Sequence, residues 1–77
     1  MKGRRLGDLK KNECGRIISV ANEHPAMARR LLQMGFLEGS TVEMIHEAPF
    51  GGDPIAVRIR GALVALRRAE ANLVEVD

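Results

Sequence analysis

Apolar residues recur along this chain at two different periods, and the change from one to the other marks its elements. In residues 6–11 Leu6 and Leu9 stand three apart on one side of a short helical turn, after which Asn12, Glu13 and Gly15 read as a turn. Residues 15–21 form the first strand, where period two puts Ile18 and Val20 on one face and Ile17 with Ser19 on the other. Asn22 and Glu23 then lead to His24-Pro25. Proline is tolerated in the first turn of a helix, because its missing N–H would have no partner there. Met27, Leu31 and Met34 follow at i, i+4 and i+7, with Ala28 and Leu32 widening the stripe and Arg29, Arg30 and Gln33 pointing mostly elsewhere. This predicts a helix from Pro25 to Met34, stopped by Gly35.

Phe36-Leu37-Glu38-Gly39 is a tight turn into a second strand over residues 41–46, with Val42 and Met44 facing inward. Residues 48–54 are too rich in Gly and Pro for regular structure and form a loop. Ile55, Val57 and Ile59 alternate with Ala56, Arg58 and Arg60, the pattern of a half-buried strand. Gly61 turns the chain into a return strand over 62–66, a hairpin whose turn type the sequence does not specify. Residues 68–71 make a helical turn and residues 73–76 a last strand, Val74 and Val76 sharing a face. The sum is a single domain over 1–77, mostly β, with five short strands, one inserted helix and a short helical turn before the last strand. An antiparallel meander this short hides its edges by curling into a small SH3-like barrel.

Composition narrows what such a domain does. A chain of 77 residues buries only about 60% of its unfolded surface, so the core is thin. Small domains often carry a disulfide or metal staple, yet Cys14 is the single cysteine, which excludes an internal bridge or a cysteine cage and fits a reducing compartment. No apolar stretch follows the basic residues of the N-terminal segment or nears the roughly 18 residues needed to span a bilayer, so the expectation is a soluble, cytoplasmic protein. Twelve Lys and Arg against ten Asp and Glu leave a formal charge of only +2, and the aromatic residues are Phe36 and Phe50 alone. A basic nucleic-acid-binding barrel is therefore a weaker alternative, lacking stacking platforms.

Four stretches taken in order are more specific than any one of them: Arg29-Arg30-Leu31-Leu32-Gln33-Met34-Gly35-Phe36, Glu38-Gly39-Ser40-Thr41-Val42, Ala48-Pro49-Phe50-Gly51-Gly52-Asp53-Pro54-Ile55 and Leu66-Arg67-Arg68-Ala69-Glu70-Ala71. Together they cover most of the chain, and the chain resembles the FeoA family. It departs from that family's pattern in the doubled glycine of Gly51-Gly52 and in Glu38, where a proline is common. The resemblance implies a small cytosolic SH3-like protein that assists a membrane ferrous-iron transporter with a cytoplasmic GTP-binding domain. A similar domain is appended to iron-dependent repressors, so a metal-responsive regulatory domain is the alternative implied.

No nucleophile with a base in reach and no carboxylate pair in unequal environments is evident, which reads against an enzyme. His24, His46, Cys14, Glu43, Glu47 and Asp53 are competent metal ligands, but their spacing matches no known cage: Glu43 and His46, three apart, should face opposite sides of a strand. No resident cofactor is expected, and weak surface binding of ferrous iron is the most that the pattern supports. The loop around Gly51 and Gly52 joins two strands and ends in Asp53, so it is no phosphate cradle but a hairpin tip with Phe50 exposed. Arg29, Arg30, Gln33, Leu37, Phe50 and Asp53 are the expected partner-binding residues, aromatic and arginine anchors being typical of interface hot spots. A GTP-binding partner makes Arg29 and Arg30 candidates for an arginine supplied in trans. Arg58, Arg60, Arg67 and Arg68 are expected on outer faces, suited to anionic lipid beside the transporter. Nothing in the pattern fixes an oligomeric state.

Overall fold

Two-residue turns and single-residue bulges set the course of the sheet. The computed structural model describes residues 3–77; Met1 and Lys2, the first residues of the expected domain, lie outside the described residues. The elements are β1 (Arg4–Arg5), a 3-10 turn (Leu6–Asp8), β2 (Cys14–Val20), α1 (Pro25–Gln33), β3 (Thr41–Glu47), β4 (Ile55–Ile59), β5 (Ala62–Leu66), α2 (Arg68–Ala71) and β6 (Val74–Val76). They form a sheet of order β1-β6-β2-β3-β4-β5 in which every pairing is antiparallel. β2 to β5 are the expected meander, and β6 returns to lie beside β2.

The strand missing from the expectation is β1. Arg4 and Arg5 pair with Val76 and Glu75, and both side chains are exposed. Two exposed arginines carry no alternation, so only the tertiary pairing makes them a strand.

Two corrections follow from bulges, each of which inserts one unpaired residue and reverses the facing of everything after it. In β2 Ile17 pairs with Val76, Ser19 with Glu75 and Val20 with Val74, leaving Ile18 as the extra residue. Ile17, opposite buried Val76, is 1% exposed and Ile18 37% exposed, and beyond the bulge Val20 packs on the core with Ile17, where period two had paired it with Ile18. In β3 the shift falls between Met44 and His46. Glu43 lies opposite Arg58 and His46 opposite Ala56, so these two share a face rather than opposing one another.

α1 follows the predicted pattern at both ends. Pro25 sits in its first turn, and Ala28 and Leu31 are its buried residues; Leu32 stays 46% exposed at the margin of the stripe. At its C-terminus Gly35 has φ +104, its N–H donates to the Leu32 carbonyl and the Phe36 N–H donates to that of Leu31, both at 3.1 Å. This is a Schellman closure, with buried Phe36 and Leu31 supplying the hydrophobic contact that accompanies it.

The core gathers Leu6, Leu9, Ile17, Leu31, Phe36, Val42, Met44, Ile55, Val57, Ile59, Leu66, Ala71, Leu73, Val74 and Val76 from every part of the chain but β1. The β4–β5 hairpin that supplies four of them closes on Arg60 (φ 50) and Gly61 (φ +81), a type I′ turn whose twist matches that of the strands.

Candidate functional site

The β3–β4 loop, residues 48–54, is ordered from within and from outside. The Ala48 N–H donates to the Pro54 carbonyl at 3.0 Å and the Gly52 N–H to the Ala48 carbonyl at 3.1 Å. Arg68 then clamps it: Nε donates to the Gly52 carbonyl at 2.7 Å, Nη1 to the Gly7 carbonyl at 2.6 Å and Nη2 to Glu47 Oε1 at 2.7 Å. The Arg68 N–H at the start of α2 donates to Asp53 Oδ1 at 3.0 Å. Phe50 stands at the tip, 92% exposed. An aromatic ring held in water on a braced loop gains nothing for folding, and its free energy of burial is available to a partner.

α1 presents Arg29, Arg30 and Gln33 exposed, and Leu37 beyond it is 43% exposed. Arg30 and Arg29 differ in their surroundings. Arg30 Nη1 donates to Glu70 Oε2 at 2.9 Å, whereas Arg29 makes no ion pair among the described residues. Glu70 is buried, and its other oxygen accepts the N–H of Arg67 at 2.9 Å, the reach from the third residue of α2 back to its N-cap that closes a capping box. Arg30, Pro54, Ala65, Leu66, Arg67 and Glu70 line one groove of about 320 Å³. The fold therefore brings Arg30 and the end of the Phe50 loop to a common groove, while Asp53, itself exposed, anchors the loop by accepting the Arg68 N–H.

The sequence marks Arg68 and Glu70 as part of a motif but not as the two residues that brace this region. A glutamate three residues after the helix N-cap was the available signal for Glu70. Arg68 gave none, because an arginine among arginines reads as solvated surface. The expectation of four outward arginines is corrected for Arg68, which is half-buried; Arg58, Arg60 and Arg67 are exposed, Arg58 paired with Glu43 at 3.3 Å and the other two without a carboxylate partner among the described residues.

The carboxylates proposed as metal ligands are largely committed elsewhere: Glu43 to Arg58, Glu47 to Arg68 and Asp53 to the Arg68 N–H. Cys14 lies opposite Glu43 in the β2–β3 register and is exposed. Among the described residues no three His, Cys, Asp or Glu side chains gather in one place, so the residues present do not fit a metal cage. Glu13 is held below the usual carboxylate range by the hydrogen bond from the Lys10 N–H at 2.8 Å and then by Arg4 at 2.7 Å. Among the described residues no helix is long and apolar enough to cross a membrane.

Comparison with known proteins agrees with this architecture. The model of the FeoA domain matches residues 4–77. The chain is 37% identical to the FeoA of Stenotrophomonas maltophilia, described as a procaryotic SH3 domain protein and solved in complex with zinc, over 96% of this chain and 89% of that one with a TM-score of 0.87. A FeoA-like protein from Clostridium acetobutylicum is 31% identical over 100% of this chain and 87% of that one, with a TM-score of 0.90. An Fe(2+) transport protein A/Fe(2+) transporter FeoB fusion protein of Porphyromonas gingivalis is 34% identical over 95% of this chain, which spans only 8% of that protein's length. With the family model covering the whole sheet and both helices, this chain belongs to the FeoA family.

Proposed function

We propose that this chain is a non-enzymatic, cytoplasmic accessory of ferrous-iron uptake that docks on the GTP-binding region of a membrane ferrous-iron transporter. The observation that carries the reading is the Porphyromonas gingivalis relative, in which an Fe(2+) transport protein A and the transporter FeoB form one polypeptide. Covalent linkage turns a docking event into an intramolecular one with a high effective concentration, and it is useful only where the two parts work together. Exposed Phe50 and Leu37 supply the apolar anchors, Arg29, Arg30 and Gln33 the polar rim, and Asp53 fixes the loop that carries Phe50. Of the two helix arginines, Arg29 is the one free to reach a phosphate in trans, since Arg30 is held by Glu70. Arg60 and Arg67 add a basic margin suited to an adjacent anionic leaflet, at about 1 kcal/mol per residue near the surface.

The test is calorimetric titration of the transporter's isolated GTP-binding domain with this protein, in the presence and absence of GTP. Saturable binding that Phe50→Ala and Arg29→Ala weaken is expected; no binding in either nucleotide state sinks the reading. Steady-state GTP hydrolysis by the same domain separates the arginines, because stimulation left intact by Arg29→Ala removes the trans role.

The zinc in the Stenotrophomonas maltophilia structure favours a second reading, a metal-responsive domain. It ranks lower because no ligand set gathers among the described residues. Anaerobic calorimetry with ferrous iron decides it, the absence of saturable heat ending the idea.

A further inference from the structure

The two edges of the sheet are not alike. β1 is two residues long and both of its side chains are arginine, a short charged edge of the kind that discourages pairing with another chain. β5 is five residues long, Ala62-Leu63-Val64-Ala65-Leu66, without a charge, a proline or a bulge. Leu63 is 63% exposed, and Ala62 and Ala65 are exposed with it.

Which main-chain groups of β5 face outward follows from its hairpin. Arg60 and Gly61 form a two-residue turn, so Ile59 and Ala62 are a hydrogen-bonded pair. Bonded and non-bonded pairs alternate along an antiparallel ladder. Val64 and Leu66 thus bond to Val57 and Ile55, while the N–H and C=O groups of Leu63 and Ala65 point away from β4. No backbone bond beyond the ladder engages Leu63 or Ala65 among the described residues.

The charge along the β4–β5 stretch of chain has one sign. From Pro54 to Ala69 the chain carries Arg58, Arg60, Arg67 and Arg68 and no acidic residue. Arg58 and Arg68 are paired with Glu43 and Glu47, but Arg60 at the start of β5 and Arg67 at its end have no carboxylate partner among the described residues. The groove lined by Arg30, Pro54, Ala65, Leu66, Arg67 and Glu70 opens beside the same strand end, and its one carboxylate, Glu70, is buried and taken up by Arg30 and the Arg67 N–H.

We propose that the free edge of β5 accepts an extended segment of a partner protein as a seventh strand, and that this segment is apolar at its centre and acidic at both ends. The main-chain groups of Leu63 and Ala65 supply the affinity, as in strand addition generally, while Arg60 and Arg67 select the charge of the ends. A second copy of this chain fits less well. Antiparallel pairing centred on Val64 sets the Arg60 end of one copy beside the Arg67 end of the other, a like-charge contact. The proposal does not rest on the docking reading given above.

The experiment is an amide NMR titration of the full chain with a blocked nonapeptide in which five alternating Val and Thr residues are flanked by two Glu on each side. Saturable shifts centred on the Leu63 and Ala65 amides, with slowed exchange of both, are expected. The same peptide with Lys for Glu should bind about tenfold more weakly, and Ala65→Pro should weaken the acidic peptide about tenfold by removing an outward N–H. Proline there leaves the bonds to β4 in place; Leu63→Lys, which alters only a side chain, guards against a folding defect. Three results would overturn the proposal: no shift at Leu63 and Ala65, equal affinity for the two peptides, or sedimentation showing that the free protein already self-associates through this edge.

Discussion

Arg68 bonds through its guanidinium to two carbonyls and a carboxylate, tying the turn before β2, the β3–β4 loop and the end of β3 to α2. Replacing it with alanine leaves the Gly7 and Gly52 carbonyls short of their donor. The Glu47 pair, with both side chains about a third exposed, contributes less because solvent screens it. The expected loss for Arg68→Ala is about 2–3 kcal/mol in urea unfolding, taking charge-assisted bonds to be stronger than neutral ones. Arg68→Lys should recover little of it, since an ammonium cannot reproduce the planar fork. Glu13 supplies the pH dependence at this scale. Its carboxyl is held low by the Lys10 N–H and Arg4, so its contribution to stability is present above the usual carboxylate range and fades as pH falls through the lowered folded value. Carboxyl NMR titration should show Arg4→Ala moving Glu13 partway back up, the Lys10 bond holding the remainder. Neither role was legible in the sequence. A side chain's partner across the fold leaves no trace in local spacing.

At the level of elements, α1 and the β4–β5 hairpin were read nearly to the residue, because each combines a clear period with a clear stop. Gly35 is the stop that matters most. Its φ of +104 suits glycine, and an ideal Cβ there would stand 2.9 Å from Arg60 Cδ, the flexible part of a side chain that can move aside. Backbone strain is therefore the main cost, and Gly35→Ala should destabilise by about 1–3 kcal/mol in thermal or urea unfolding with the fold retained. A change below a few tenths would mean that the chain relaxes around it. The strands β2 and β3 were placed correctly but faced wrongly in part. A bulge is decided by what lies across the ladder, Glu75 against Ser19 or Ala56 against His46, and a count along one strand does not contain that information.

For the molecule as a whole, the thinness of the core sets the scale of every effect. A domain of 77 residues has a net stability of about 4–12 kcal/mol at the usual 0.05–0.15 per residue. Phe36 is fully buried and closes both α1 and the core. Phe36→Ala should cost about 3–5 kcal/mol and leave a marginal protein by calorimetry. Phe50→Ala, at 92% exposure, should change stability by less than about 0.5 kcal/mol, so any loss of partner binding in that variant is a loss of contact and not of fold. What the sequence determined by itself was the mostly-β class, the inserted helix with its proline start and glycine stop, the exposure of Phe50 and the family. Each rests on local periodicity, backbone chemistry or the order of short motifs. Only the tertiary structure decided that Arg4 and Arg5 form an edge strand, that Ile17 rather than Ile18 enters the core, that Arg68 and Glu70 are internal braces, and that β5 is left with an open edge. Those outcomes depend on which segments meet across the sheet, and segments distant in sequence specify one another only once they are packed together.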